Sequence, residues 1–222
     1  MPVRSPDVPL VLMVLFSAGL FLGLPVWGWG SFDGFVDHPA RVGACLVVVL
    51  ASIPVLFSGT SLGRGMFSDA RTPWIFLLAF GFTTVMAWLP AYADRRDIAT
   101  LDGDLSRYSG LALLILGCIL RVGPMFELGP RFRPPWVKQE DHRLVTTGFY
   151  RYVRNPSYLG ALLGMMGWFL VFRCGPGFLL SLLSIPVAIP LIRREEAMLQ
   201  EEFGDAYLAY KNRTWRLIPF VN

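Results

Sequence analysis

Two glutamates, Glu195 and Glu196, directly follow two arginines, Arg193 and Arg194, at the end of a long apolar stretch. Glu195 precedes a series of apolar residues at helical spacing, Leu199, Phe203, Tyr207 and Tyr210. A carboxylate on an apolar helix face needs a partner, because burying an unpaired charge is costly. Glu195 therefore either pairs with an arginine as a structural contact or binds a cationic ligand. Glu196 lies about 100° further round the helix.

A second group of polar and aromatic side chains lies in residues 142–160, HRLVTTGFYRYVRNPSYLG. Asn155 followed by Pro156 indicates the start of a helix, since Asn caps a helix and Pro fits its first turn. Small residues recur on one face of that helix, at Gly160, Gly164 and Gly167. Such a face lets a neighbouring membrane helix pack closely.

The rest of the chain is too hydrophobic for a water-soluble core. Of 222 residues, 54% are hydrophobic and only 16% are charged, against about 25% charged in an average soluble domain. Nearly uncharged blocks that suit membrane helices cover residues 8–27, 42–57, 73–90, 108–122, 158–172 and 178–192. We predict an all-α integral membrane protein with about six transmembrane helices. The last two form a hairpin, and residues 193–211 form a C-terminal cytoplasmic amphipathic helix.

The distribution of Lys and Arg predicts the orientation of these helices. One side of the six-helix arrangement carries fourteen of the 20 basic residues and the other side carries five. The positive-inside rule therefore places both termini and residues 126–222 in the cytoplasm, as in a bacterial inner membrane. The net charge of +4 reflects this topology and anionic lipid headgroups, and we expect no nucleic-acid partner.

The chain divides into two predicted regions. Residues 1–125 are a transmembrane scaffold, whereas residues 126–222 concentrate the charged and aromatic side chains. The three cysteines have no metal-ligand spacing and there are only two histidines, His38 and His142. We therefore expect no metal site and no disulfide framework.

Residues 142–160 together with 195–213, EEAMLQEEFGDAYLAYKNR, resemble the isoprenylcysteine carboxyl methyltransferase family. They are also similar to the related phospholipid N-methyltransferases. The shared pattern is His-x-Leu-Val-x-x-Gly-x-Tyr, then Arg-His-Pro-x-Tyr-x-Gly, then Glu-Glu before Phe-Gly-x-x-Tyr-x-x-Tyr. The resemblance implies a membrane enzyme that transfers a methyl group from S-adenosylmethionine.

The resemblance also implies which residues form the cofactor pocket. They are His142, Leu144, Val145, Gly148, Tyr150, Asn155, Pro156 and Tyr158, completed by Glu195 or, as second choice, Glu196. The chain departs from the pattern where Asn155 replaces the usual His. Thr214-Trp215 replaces a Val-Pro, which makes Trp215 a candidate contact at the acceptor entrance.

The expected methyl acceptor is lipophilic or lipidated, and the first candidate is a prenylcysteine-like carboxylate. The family's substrate-binding Arg aligns with Leu191, but Arg193 and Arg194 are close and are candidate acceptor contacts. A carboxylate needs only a cation such as Arg154, Arg193 or Arg194, so we count Arg154 and Arg194 with the two glutamates as candidate catalytic residues. An amine, as in phosphatidylethanolamine, or a thiol needs a base, for which the second glutamate is available.

Two other classes of protein remain open from the sequence. Membrane sterol reductases that use NADPH resemble this C-terminal region, but their Tyr-x-Gly is usually followed by an acidic residue, and here Ala161 follows Gly160. A non-enzymatic membrane interaction protein is the third possibility. The sequence does not indicate an oligomeric state.

Overall fold

The computed structural model describes residues 8–57, 72–128 and 144–218. Its helices are α1 (Val8–Trp29), α2 (Phe32–Val36), α3 (Pro39–Phe57), α4 (Thr72–Arg95), α5 (Gly103–Leu128), α6 (Pro156–Val171), α7 (Gly175–Phe203) and α8 (Asp205–Asn212), with a short 3-10 turn at Gly148–Arg151. In these ranges the extended pairings are limited to two isolated bridges, and no strand is formed. The predicted all-α fold is confirmed.

Each of the six predicted apolar blocks falls on a separate long helix, α1, α3, α4, α5, α6 or α7. Among the described residues, α5 and α7 are both long enough and apolar enough to cross a bilayer, and the apolar parts of α1, α3 and α6 are shorter. The helices themselves are therefore confirmed, whereas the number of complete membrane crossings stays a prediction.

The C-terminal helix boundary differs from the prediction. No separate amphipathic helix begins at residue 193, because α7 continues unbroken to Phe203. The helix stops at Gly204, whose φ of +52° and ψ of −125° cannot continue an α-helix. Glycine adopts a positive φ without steric cost, which explains the break. A short helix, α8, follows at Asp205–Asn212, so the stripe from Leu199 to Tyr210 is interrupted.

Helices α5 and α6 pack backbone against backbone through glycines. A Cβ atom on Gly117 of α5 would lie 2.3 Å from the backbone nitrogen of Gly164, and one on Gly160 of α6 would lie 2.5 Å from that of Arg121. Gly110 and Gly167 make equally close approaches further along the same helices. The predicted small-residue face of α6 is thus confirmed as a packing surface, and its partner is α5.

We expect Gly117→Ala to destabilise the protein and Gly164→Ala to leave it nearly unchanged. The new methyl group on Gly117 would overlap the backbone of α6, whereas one on Gly164 meets no atom within 4 Å. Overpacking of this kind typically costs about 1–3 kcal/mol. Thermal unfolding in detergent measures the difference. Equal midpoints for the two variants would contradict the packing described above.

A cluster of buried charged side chains connects α4, α5 and the turn before α7, at the end of α7 opposite its charged residues. Asp94 at the end of α4 is 1% exposed. Its carboxylate accepts hydrogen bonds from Arg107 at 2.6 and 2.9 Å and from Arg173 at 2.7 Å. Arg107 begins α5 and Arg173 lies in the turn between α6 and α7, so one carboxylate joins three elements. Glu195 follows Gly175 by twenty positions along α7, which is a rise of about 30 Å in a regular α-helix.

Candidate cofactor and acceptor site

Glu196 is the centre of a buried polar cluster where α7 meets the start of α6. Its side chain is 6% exposed. One carboxylate oxygen accepts a hydrogen bond from Arg154 Nε at 2.9 Å, and the other accepts one from Arg216 Nε at 3.1 Å. The amide of Asn155 lies 3.4 Å from the first oxygen. Glu196 is therefore held by two guanidinium groups at once.

Arg154 connects this cluster to the C-terminal segment. Its guanidinium also donates to the backbone carbonyls of Thr214 and, at 2.9 Å, of Lys211. Its backbone nitrogen donates to the carbonyl of Trp215 at 2.8 Å, and the nitrogen of Trp215 donates to the carbonyl of Tyr152 at 2.8 Å. These bonds fix residues 152–154 beside residues 214–216, so the segment that leads into α6 has a defined position.

Glu195 has a different environment from its neighbour. Its carboxylate accepts a hydrogen bond of 2.6 Å from the hydroxyl of Tyr158, in the first turn of α6. The side chain is half-buried, and Arg121 of α5 is within electrostatic range of it. The sequence left open whether Glu195 pairs with an arginine as a structural contact or binds a cationic ligand. In the structure the glutamate that is hydrogen-bonded to arginines is Glu196, whereas Glu195 accepts a hydrogen bond from a tyrosine.

A cavity of about 440 Å³ opens beside the 3-10 turn and the start of α6. Its lining residues are Leu120, Glu127, Gly148, Phe149, Tyr152, Val153, Pro156 and Leu159. This volume is within the range of small-molecule sites, and a mostly apolar lining with few polar groups is typical of them. Two of the predicted cofactor residues, Gly148 and Pro156, line this cavity.

Glu127, near the end of α5, is a lining residue that the sequence analysis missed. Both of its carboxylate oxygens accept the backbone N–H of Phe149, at 3.1 and 3.0 Å. Gly148 has a φ of +55°, and a Cβ atom there would lie 1.6 Å from a carboxylate oxygen of Glu127. The positive φ therefore favours glycine at position 148, and a side chain there would displace the Glu127 carboxylate. The available signal was a single acidic residue at the end of an apolar helix.

We expect Glu127→Ala to loosen the Gly148–Arg151 turn and to weaken binding of a ligand in the cavity about tenfold, since hydrogen bonds to charged groups are the stronger ones. Glu127→Gln keeps an oxygen that can accept from Phe149, so it should recover most of the affinity. Calorimetric titration of both variants measures this. Equal losses would show that the negative charge, and not the hydrogen bond, is what matters.

Tyr150 and Asn155, two of the predicted cofactor residues, make hydrogen bonds to other parts of the chain. The hydroxyl of Tyr210 donates to the backbone carbonyl of Tyr150 at 2.8 Å, and burial raises the pKa of the Tyr150 hydroxyl above its ordinary value. The amide of Asn155 donates to the carbonyl of Arg216 at 2.9 Å. Its side chain makes no capping bond to α6. The predicted helix start at Pro156 is nevertheless confirmed.

The other predicted site residues are less closely grouped. Leu144, Val145 and Trp215 are half-buried, and Arg193 and Arg194 are exposed on α7. His142 lies outside the described residues. In the part of the chain that the structure describes, no group of three His, Cys, Asp or Glu side chains could hold a metal ion.

Comparison with known proteins shows which part of the chain is similar to a known family. The sequence model of the family described as phospholipid methyltransferase matches residues 105–206. The match runs from the start of α5 to the start of α8, and it includes the cavity, Tyr158 and both glutamates. Residues 105–206, slightly under half of the chain, are similar to the phospholipid methyltransferase family. The similarity therefore begins earlier than the last third of the chain on which the resemblance was based.

Individual relatives confirm the resemblance to isoprenylcysteine carboxyl methyltransferases. The protein-S-isoprenylcysteine O-methyltransferase of Xenopus laevis is 27% identical over 215 residues, which cover 93% of this chain and 70% of the relative. Enzyme B of that name from Arabidopsis thaliana is 35% identical over 51% of this chain and 59% of the relative. The Homo sapiens protein is 32% identical over 51% of this chain and 41% of the relative. The chain thus spans about half the length of several relatives.

A solved structure supports the same fold. The eukaryotic intramembrane Ras methyltransferase ICMT superposes with a TM-score of 0.63 over 96% of this chain and 77% of that one. The two sequences are 22% identical, so this likeness concerns the fold. The match to the methyltransferase family model ends at the start of α8, and the predicted division at residue 125 falls inside α5. That division and the roles of single site residues stay predictions.

Proposed function

We propose that this protein is an integral membrane methyltransferase that uses S-adenosylmethionine and acts on a prenylcysteine-like carboxylate. The observation that carries the proposal is Glu195, a half-buried carboxylate bonded to Tyr158 at 2.6 Å inside a segment that is similar to the phospholipid methyltransferase family. The isoprenylcysteine methyltransferase relatives support the carboxylate as acceptor. The residues present fit the two ends of the cofactor, since Glu195 offers an anion for its ammonium group, and a cavity of about 440 Å³ with two aromatic side chains in its lining lies at the start of α6.

The chain's own residues would act by positioning and by charge placement. When bound, S-adenosylmethionine supplies a methyl group on a positively charged sulfur. Glu195 attracts the ammonium group, and the Tyr158 hydroxyl fixes the orientation of that carboxylate. The rings of Phe149 and Tyr152 line the cavity and suit adenine stacking and cation–π contact with the sulfonium. An in-line displacement depends mainly on such positioning.

The three candidate arginines have different contacts, and we therefore propose different roles for them. Arg154 donates to Glu196, Lys211 and Thr214, so we assign it to positioning and not to holding the acceptor. Arg193 and Arg194 are exposed on α7 one turn or less before the glutamates, and they are the candidates to hold an acceptor carboxylate. Trp215 remains a candidate contact at the acceptor entrance.

Phospholipid N-methylation is the second candidate, favoured by the description of the matched family. An amine acceptor must lose a proton, and Glu196 was the candidate base. Both of its oxygens already accept hydrogen bonds from guanidinium groups, so they are engaged within the protein and do not face an acceptor amine. This arrangement favours an acceptor that is already ionised. The family and the relatives above are methyltransferases, so we retain neither the reductase nor the interaction protein.

The membrane topology is part of the proposal. Both termini and the region from residue 126 onward lie on the cytoplasmic side, as the excess of basic residues predicts. A lipophilic acceptor then reaches the site through the bilayer. Reporter fusions after Ile218 test this orientation, and an external reporter would overturn it.

The acceptor is tested with isotope-labelled methyl donor in membranes that contain the protein. Three acceptors are compared: an N-acetylated S-prenylcysteine, the same compound as its methyl ester, and phosphatidylethanolamine. We expect label only in the first, in a form that mild base releases as methanol. Base-stable label in the phospholipid would establish the N-methyltransferase instead. Absence of transfer to all three would overturn the proposed activity.

A further inference from the structure

The hydroxyl of Tyr207 is a buried polar atom that is unpaired. Tyr207, in the first turn of α8, is 1% exposed. Its hydroxyl has no hydrogen-bond partner among residues 8–57, 72–128 and 144–218. Nine in ten or more buried polar groups have a partner, and an unpaired hydroxyl costs about 1–3 kcal/mol. Such an exception requires an explanation, and a ligand that supplies the missing partner is one.

The surroundings of this hydroxyl are those of the candidate site. Four charged side chains act on it electrostatically, in the order Glu196, Arg154, Arg216 and Glu195. Glu196 is already bonded to the two arginines, whereas Glu195 has Tyr158. Burial raises the pKa of Tyr207 to about 12, so the hydroxyl is a hydrogen-bond donor throughout the physiological range. The unpaired Tyr207 hydroxyl and the Glu195 carboxylate, one of whose oxygens accepts from Tyr158, are therefore within electrostatic range of each other.

We propose that Tyr207 donates a hydrogen bond to the carboxylate of the amino-acid end of the methyl donor, while Glu195 binds the ammonium group of the same end. This assignment rests on the proposed function and adds a residue to its site. An ammonium group only donates hydrogen bonds and a carboxylate only accepts them. Glu195, which accepts hydrogen bonds, therefore suits the ammonium group, and the Tyr207 hydroxyl, which donates one, suits the carboxylate. Arg154 and Arg216 are the positive charges that act on the Tyr207 hydroxyl.

Neighbouring Tyr210 shows that the unpaired hydroxyl is not a general feature of α8. Tyr210 is 3% exposed, and its hydroxyl donates to the carbonyl of Tyr150 at 2.8 Å. The two rings are in edge contact, with centroids 6.0 Å apart. Tyr210 is therefore a matched control: removal of its hydroxyl breaks a bond within the protein, whereas removal of the Tyr207 hydroxyl breaks none among the described residues.

The test compares Tyr207→Phe and Tyr210→Phe with the unaltered full chain in detergent. Thermal unfolding is measured without ligand, and calorimetry measures affinity for two probes. S-adenosylhomocysteine has the amino-acid end, and 5′-methylthioadenosine lacks it. For Tyr207→Phe we expect an unfolding midpoint that is equal or higher, affinity for S-adenosylhomocysteine about tenfold lower, and unchanged affinity for 5′-methylthioadenosine. Tyr210→Phe should lower the unfolding midpoint.

Three results would overturn the assignment. Unchanged affinity of Tyr207→Phe for S-adenosylhomocysteine would remove Tyr207 from the site, and it would leave the proposed function intact. Equal losses for both probes would place the hydroxyl elsewhere on the ligand. A lower unfolding midpoint without ligand would mean that the partner belongs to the protein itself. Failure of the unaltered chain to bind S-adenosylhomocysteine would instead overturn the proposed function.

Discussion

Glu195→Gln is expected to reduce the affinity for S-adenosylmethionine about a hundredfold or more, with little change in thermal stability. Loss of one partner from a close, desolvated charge pair commonly costs 2–5 kcal/mol of binding. Glutamine keeps the size of the side chain and an oxygen that can accept the Tyr158 hydroxyl, which lies at 2.6 Å in the native protein. The substitution therefore removes the charge and preserves the contact with α6.

The matched control for this prediction is Glu201→Gln. Glu201 lies on the same helix and is exposed, so its neutralisation changes the net charge equally without touching the site. We expect that variant to bind like the unaltered protein. Both variants are measured by calorimetric titration in one detergent. If Glu195→Gln binds normally, the cofactor carboxylate is Glu196 or neither glutamate.

Glu196→Gln is expected to have the opposite profile, with a loss of about 3 kcal/mol or more in stability. Glu196 is 5% exposed and balances both Arg154 and Arg216, at 2.9 and 3.1 Å. Neutralisation of one member of a buried pair leaves the other charge uncompensated, which typically costs 3–5 kcal/mol. The effect should be seen as a lower midpoint of thermal or denaturant unfolding in detergent.

Two further measurements distinguish this structural role from a catalytic one. S-adenosylhomocysteine should partly restore the midpoint of Glu196→Gln, because a ligand that binds the folded state stabilises it. Glu195→Gln neutralises the residue next to Glu196, and this variant should unfold like the unaltered protein. If the two glutamine variants unfold at the same midpoint, the cluster of Glu196 with Arg154 and Arg216 does not stabilise the fold as described.

The long helices were predictable because their signal is local. Each apolar block lies on one helix, and the glycines of α6 mark a close contact at a spacing that the sequence displays. The boundary at residue 193 was wrong because a change from apolar to charged residues marks a change of environment. It does not mark a helix end. The actual break, at Gly204, depends on a positive φ, and a single glycine in a charged segment gives only a weak signal for one.

The candidate site was predictable in part. The shared motifs led to Tyr158 and Glu195, which the structure brings within 2.6 Å, and to Gly148 and Pro156 at the cavity. The roles of single side chains stay predictions, and His142 lies outside the described residues. Helical spacing placed the two glutamates about 100° apart, but it did not reveal that Glu196 meets Arg154.

The contacts that spacing could not reveal are long-range. Glu196 and Arg154 are 42 positions apart in the sequence, and Phe149 and Glu127 are 22 apart. Both pairs depend on how separate helices pack, which no local pattern encodes. The unpaired hydroxyl of Tyr207 is of the same kind, because burial and the absence of a partner among the described residues are properties of the folded chain.

Calorimetric titration of the purified full chain in detergent tests the central claim most directly, with S-adenosylhomocysteine and NADPH as separate ligands. We predict saturable one-to-one binding of S-adenosylhomocysteine and no binding of NADPH. The same titration with Glu195→Gln should show the S-adenosylhomocysteine signal lost. Binding of NADPH alone would contradict the methyltransferase assignment and would indicate a reductase on a similar helical scaffold.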